Sequence, residues 1–388
     1  MKKSIIIIAC LIFFGMLCIA CNLSQDQIAG AAGVMETLIA TEISRVPSQV
    51  GNDLILIPSQ TKNPEYSRTP DPLVLPELQG SVVYAAQEAG SLSTDFYLIN
   101  FPDRSTQRLT FDGHEKNSPV WAQDNRKIAY AQNVDNNWDI YTTDIPSDSP
   151  IRLTFDPAND SWPAWSPNGN QIAFESFRNG NWDVWLMNSD GSNQNALTTD
   201  SSWEGHPVWS PDGSKIAYIS NRTKISQIYV YDLTAMSDAQ LTFDDAPSTE
   251  PEWSPDGNLI AYRSWKDGNS EIYIMALDGS DKRRLTENLA EDGLLVWNPD
   301  AGALAFLSDR NGYDNIYILD PLDLSVLQIT DDSSSKGDPV WSGDGQFIAY
   351  PCTLTGSNQI YIVYRFGSQP LQITDGNLSV SELSWSFR

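Results

Sequence analysis

From about residue 80 to the end of the chain, apolar and polar positions follow one another in short alternating runs, each closed by Gly, Pro, Asn or Asp. A period of two reads as strands with one buried face. One unit shows the grammar. Trp209 ends a short strand in the turn Ser-Pro-Asp-Gly213, and Lys215–Ser220 alternates as a second strand. Asn221–Ser226 is a loop, Gln227–Leu233 a third strand and Ala239–Thr242 a fourth. Asp190-Gly191 and Asp278-Gly279 provide the hairpin turn between third and fourth strands, where a positive φ is required.

The unit recurs without insertion. Tryptophan stands at 121, 165, 209, 253, 297, 341 and 385, each 44 residues after the last. Leu or Ile before Thr falls at 109, 153, 197, 241, 285, 329 and 373, and an apolar residue falls at 96, 140, 184, 228, 272, 316 and 360. Four antiparallel strands per repeat make a propeller blade. The first unit, Val82 to Thr110, lacks its own first strand, and the chain ends on Leu383-Ser-Trp385 with only three residues after it. Ring closure therefore puts the last strand into the first blade, which predicts an all-β, seven-bladed propeller over residues 80–388. The seven tryptophans, Trp121, Trp165, Trp209, Trp253, Trp297, Trp341 and Trp385, are its repeat anchors.

The unit Pro251-Glu-Trp-Ser-Pro-Asp-Gly257, with Ile260-Ala-Tyr262, Ile272-Tyr273 and Leu285-Thr286, resembles the repeat of the TolB-type, WD-repeat-like β-propellers. The resemblance runs over about residues 80–388. Asn298-Pro-Asp-Ala301 and Ser342-Gly-Asp-Gly345 depart from it at the turn. It implies the architecture and leaves the activity open. Some lyases are similar in using seven-bladed TolB-like propellers, and some peptidases join such a propeller to a hydrolase domain.

Ahead of the repeats the pattern changes. Lys2 and Lys3 precede an uncharged apolar run from Ile5 to Ile19, a predicted signal peptide over residues 1–20. Leu17-Cys-Ile-Ala-Cys21 resembles the bacterial lipobox, which implies lipidation of Cys21 as the mature N-terminus. A soluble secreted form and an uncleaved anchor are the alternatives. Residues 21–79 are rich in Ala, Ser, Thr, Gln and Pro, and the pattern allows a short helix over Gln27–Ile43. Prolines at 47, 58, 64, 70, 72 and 76 then favour an extended tether. These features predict a lipid-anchored, extracytoplasmic protein of the bacterial envelope, either outside the cytoplasmic membrane or in the periplasm. Of four cysteines, only Cys352 lies beyond Cys21, so no disulfide framework is predicted.

The formal charge is −26, which disfavours nucleic acid and anionic lipid surfaces. The ten residues before each anchor hold eighteen acids, among them Asp160, Glu204, Glu250, Asp292, Asp338 and Glu382, against only Lys116 and Lys336. Strand direction places those residues and the loop between second and third strands on one face. Trp138, Trp162, Trp182, Trp203 and Trp265 all fall in or beside these loops, with His206 close by. His206, Glu250, Asp338 and Glu382 share the position three before an anchor, near the presumed channel mouth. Aromatic rings beside carboxylates suit sugars or basic and aromatic peptides. These nine residues are the candidate ligand contacts, with packing and turn capping as the structural alternative. Asp112, Asp156, Asp200 and Asp244 share a position suited to capping, and the recurring Arg178, Arg222, Lys266 and Arg310 suit a loop-holding role.

Two histidines and one remaining thiol do not make the usual zinc sites, and no Gly-x-Ser-x-Gly elbow, P-loop, dinucleotide fingerprint or EF loop occurs. No catalytic residue or cofactor is assigned; calcium among the rim carboxylates remains open. The chain thus reads as a monomeric, non-catalytic binding or interaction scaffold whose partner is an envelope protein, a peptide or a carbohydrate. A carbohydrate-active lyase or hydrolase on the same face is the alternative.

Overall fold

The computed structural model describes residues 77–386, apart from 92, 146–148 and 377. The predicted signal peptide, Cys21 and nearly all of the tether lie outside the described residues. The rest is all-β: seven four-stranded antiparallel sheets, each a blade. Blade 1 is completed by the C-terminal strand Leu378–Trp385, which pairs with Ser81–Glu88. Blades 2 to 7 follow in chain order, with first strands Glu115–Trp121, Asp160–Trp165, Glu204–Trp209, Ser248–Trp253, Asp292–Trp297 and Val340–Trp341. These first strands touch their counterparts in the neighbouring blades all round the ring, including the last with the first. They are therefore the innermost strands, surrounding the axis.

The core lies between blades, because each sheet has two faces and a neighbour on either side. One cluster joins Ala217, Ile228, Val230 and Leu241 of blade 4 to Trp253, Ile260, Tyr262 and Tyr273 of blade 5. The anchor ring crosses that boundary, and its indole N–H donates to a carbonyl one repeat back: Trp209 to Ala164 at 3.0 Å, Trp253 to Val208 at 3.1 Å, Trp297 to Glu252 at 3.3 Å and Trp341 to Val296 at 3.2 Å. Trp121 does the same to Ser384, across the closure, at 3.1 Å. Trp385 instead reaches the Gln79 carbonyl at 3.1 Å, and Leu78 packs against the cluster between blades 7 and 1. Trp165 is the exception: its N–H meets no acceptor among the described residues. Burying an indole of about 150–250 Å² stabilises by roughly 4–6 kcal/mol as an upper bound.

The Leu/Ile-Thr ladder has a local reason. The backbone N–H of the apolar residue in each third strand donates to the threonine hydroxyl at 2.9 Å, from Phe96 to Thr110 in blade 1 through Ile228 to Thr242 in blade 4 to Ile360 to Thr374 in blade 7. That side-chain acceptor takes the place of a backbone carbonyl, so the fourth strand stops short. In blade 4 it spans Ser237–Gln240, not Ala239–Thr242 as the pattern suggested. In blades 3, 4, 5 and 7 a serine ties the turn after the anchor in the same way: in blade 4, Ser210 Oγ donates to Asp212 and accepts from the Lys215 amide. In blade 6, Asn298 replaces that serine, and its Nδ2 donates to the Gly345 carbonyl of blade 7 at 3.0 Å, which keeps the departing turn in place. Gly191, at φ 84°, meets both demands on a hairpin glycine, since a Cβ there would lie 2.8 Å from the Leu153 carbonyl of the preceding blade.

Two stability outcomes are expected in urea unfolding. Thr242→Val leaves the buried Ile228 N–H without its acceptor and costs about 1–3 kcal/mol. Trp385→Ala costs more than Trp253→Ala, itself about 3–5 kcal/mol, because it also loosens the strand that closes the ring; equal losses would contradict that role.

Candidate functional site

Five of the innermost strands carry an irregularity at the same place. In blades 2 to 6 the register with the second strand slips between the residues four and one before the anchor. The residue three before the anchor adopts a left-handed backbone there: Ser118, Trp162, His206, Glu250 and Leu294 all have φ between 50° and 53°. Such a bulge re-aims a side chain out of the sheet's alternation. The bulge residues of successive blades meet. The Trp162 ring lies 4.5 Å from the His206 ring, a Glu250 carboxylate oxygen accepts the Leu294 amide at 2.8 Å, and Glu382 accepts the Ser118 amide. Together with Asp338 they form a collar round the axis, so four of the sequence candidates, His206, Glu250, Asp338 and Glu382, do share one ring, and Trp162 joins them.

The collar is aromatic on one side. His206 lies between Trp162 and Trp203, with Trp203 at 5.6 Å and 66°. Trp162 is 49% exposed. Beneath the rings sits Glu175, from the second strand of blade 3 (Gln171–Ser176), only 4% exposed. Its Oε1 accepts the His206 amide at 2.7 Å across the blade boundary. The space exists because the facing residue is Gly205: a Cβ there would collide with the Glu175 carboxylate and lie 3.0 Å from Trp203 Cζ2. Burial pushes the Glu175 carboxyl up to about 7, tempered by that amide bond. His206 is pulled down by burial, opposed by the Glu250 charge, so its imidazole is neutral near pH 7.

On the other side the collar is acidic. Glu250 is held by Arg263 at 3.1 Å, and Arg263 lies over the Trp265 ring at 4.3 Å. Burial raises the Asp338 and Glu382 carboxyls, with the Glu250 charge adding to the first and the Asp338 charge to the second. Just below, where other blades have Val, Ala or Ser, burial and the Glu250 charge push Glu252 up to about 8. Among the described residues no three His, Cys, Asp or Glu side chains are gathered to hold a metal ion.

The remaining candidates lie elsewhere. Trp138 packs against the core between blades 2 and 3, and Trp182 stacks edge-on against Phe177 at 5.5 Å. Three of the loop acids do not face a ligand at all: Asp160, Glu204 and Asp292 are fully buried, paired with Arg178 at 2.7 Å, Arg222 at 2.9 Å and Arg310 at 3.1 Å. The recurring arginines thus hold their loops through the innermost strand. Lys266 lies over Tyr273 at 4.6 Å instead, and Glu271 takes Arg284 at 2.6 Å. Asp112, Asp156 and Asp200 each accept the amide two residues on, as capping requires, whereas the Asp244 contact to Gln227 runs through its backbone carbonyl.

Glu175, Arg263 and Phe177 were not singled out from the sequence. Glu175 and Arg263 occupy one repeat position, which otherwise holds Gln87, Ala131, Ile219, Leu307 and Pro351. A charge at a register position that is mostly apolar was the available signal.

The sequence pattern of the TolB beta propeller domain matches residues 110–206 and 182–386. No curated protein matches the chain in sequence. Among solved structures it is similar to TolB from Acinetobacter baumannii, with 18% identity over 79% of this chain and 83% of that one, and a TM-score of 0.54. It is also similar to an oligogalacturonate lyase from Vibrio parahaemolyticus, with 15% identity over 76% and 86%, TM-score 0.58. A puromycin-hydrolyzing peptidase from Mycobacterium tuberculosis shows 14% identity over 75% of this chain and 53% of that one, TM-score 0.62. At these identities the likeness establishes the fold alone.

The Glu175 environment has a stability consequence. A carboxyl whose pKa rises on folding favours the folded state at low pH, and that contribution is lost as pH rises through the window from its ordinary value to about 7. Glu175→Gln removes this slope, so the variant gains on the wild type by up to about 3 kcal/mol between pH 4.5 and 8. Urea unfolding at both pH values checks it; parallel losses in the two proteins would place the slope elsewhere.

Proposed function

The chain belongs to the TolB β-propeller family, and on that premise we propose that it is a non-catalytic binding protein whose ligand face is the collar side built by Trp162, His206, Trp203 and Glu175. The observation that carries this reading is Trp162. Its indole is half open to water, its backbone is held in the left-handed region at a cost of about 1–3 kcal/mol, and its ring leans on an imidazole of the next blade. Neither cost is offset by burial within the fold. A flat exposed ring with a polar floor is the arrangement that binds sugars and aromatic or basic peptide segments. The acidic side, with Glu250, Asp338 and Glu382, extends the same face.

Lys2, Lys3, the apolar run and Ala20-Cys21 support a lipid anchor at Cys21 and an extracytoplasmic site at the bacterial envelope, with residues 21–79 as the tether carrying a monomeric propeller. The partner class is an envelope protein, a peptide or a carbohydrate; the charge of −26 argues against nucleic acid.

One observation favours a second reading, an enzyme acting on a carbohydrate. Glu175 is poised to exchange a proton near neutral pH, as a general acid or base requires. The fold shared with a lyase adds only architecture.

A calorimetric screen of the purified protein against cell-wall sugars, polysaccharide fragments and basic peptides tests the proposal. Saturable binding without turnover is expected, weakened at least tenfold by Trp162→Ala while the unligated melting temperature holds. Binding indifferent to Trp162→Ala would move the site elsewhere. Turnover that disappears in His206→Ala with the fold intact would establish the enzyme instead.

A further inference from the structure

Glu175 is a buried carboxylate without a cation. Its one polar contact among the described residues is the His206 amide on Oε1, and that bond leaves Oε2 without a donor. The buried acids five residues before an anchor, Asp160, Glu204 and Asp292, each have an arginine. An uncompensated buried carboxylate is costly unless something else supplies the charge.

The fold contains its own template for what fits. Two repeats on, Arg263 occupies the position of Glu175, and it too projects toward a glycine on the next blade's innermost strand, where a Cβ at Gly293 would lie 2.7 Å from its Nε. In that niche a guanidinium bonds the Glu250 carboxylate at 3.1 Å and Ser270 Oγ at 3.0 Å, with Trp265 as its platform at 4.3 Å. The blade 3 niche has the complementary parts: the carboxylate of Glu175, the indoles of Trp162 and Trp203, and the neutral His206 between them.

Resting on the reading of this face as a binding site, we propose that the Glu175 niche takes an organic cation, a primary ammonium or guanidinium head group. Its N–H donors go to the free Glu175 oxygen while the Trp162 and Trp203 indoles flank the charge. Cation–π attraction and a charge-assisted hydrogen bond act together there. A hydroxyl could donate to the same oxygen but would leave the negative charge uncompensated. The titratable groups on the strands packed round Glu175 are Asp160 with Arg178, Asp183 with Asn179 and Asn181, Glu204 with Arg222, and His206, which faces Glu250. None brings a positive charge to Glu175. A free polyamine and a lysine or arginine side chain of a peptide present the same head group.

Isothermal calorimetry on the purified full chain decides it, with cadaverine and agmatine as free amines, acetyl-Gly-Lys-Gly-amide as the peptide source and N-acetylglucosamine as the neutral control. At least one cation is expected to bind, with affinity falling at least tenfold in Glu175→Gln and about fivefold or more in Trp162→Ala. Both variants should melt no lower than the wild type. Affinity should rise between pH 6 and 8, as Glu175 ionises, and stay flat in Glu175→Gln. Binding of only the free amines, or only the peptide, supports the niche and names its source. Undiminished cation binding in Glu175→Gln overturns the inference, as does silence from all three cations. If N-acetylglucosamine binds in a Trp162-dependent way and no cation does, the cation inference fails while the binding face stands.

Discussion

The structure depends on one contact that five of the seven anchors make: an indole that crosses from its own blade to the previous one, buries its face there and donates its N–H to a carbonyl of that blade's innermost strand. A four-stranded sheet has two apolar faces and cannot cover both alone. By fixing how each innermost strand sits against its neighbour, the indole sets where the bulge three residues earlier meets the next blade's bulge. The collar round the axis follows from that spacing. The C-terminal strand matters for the same reason, since Glu382 reaches the Ser118 amide only once Leu378–Trp385 has closed blade 1.

On this constant frame the chemistry varies freely. The bulge position holds Ser, Trp, His, Glu, Leu, Asp and Glu in turn, with one backbone conformation where it is left-handed. Position five before the anchor shows a second kind of variation: Asp160, Glu204 and Asp292 are buried with arginines, whereas Lys116 and Lys336 are buried with the acids Asp112 and Asp332. Swapping the sign of the pair leaves the buried charge at this position compensated. Glu175 is buried deeper than any collar carboxylate.

The blades, their number and the closing strand were legible in the sequence, because burial between blades imposes the same residue at the same step every 44 residues. The threonine ladder was visible as a pattern, but not its effect of ending the fourth strand early, since that depends on a side-chain bond to the Ile228 amide and its equivalents. Trp162, Trp203 and His206 were identified as candidates but not as one cluster; their contact needs the left-handed bulge, which no residue type there announces. Trp138 looked equivalent to Trp162 in loop position, yet it packs inward. Asp160, Glu204 and Asp292 looked like surface acids because their arginines lie eighteen residues further on. Glu175 was hidden by alternation, which reads a polar residue in a half-buried strand as solvent-facing; only the glycine opposite it, on another blade, makes room for it.

The central claim is that ligand recognition resides where blades 3 and 4 meet, at the rings above Glu175. Indole 15N–1H spectra of the full chain, recorded as cadaverine is added, address it most directly. The account predicts that the Trp162 and Trp203 signals move together and saturate while those of the seven anchors stay where they are. Shifts confined to the anchors or to Trp138, with Trp162 and Trp203 unmoved, would contradict it.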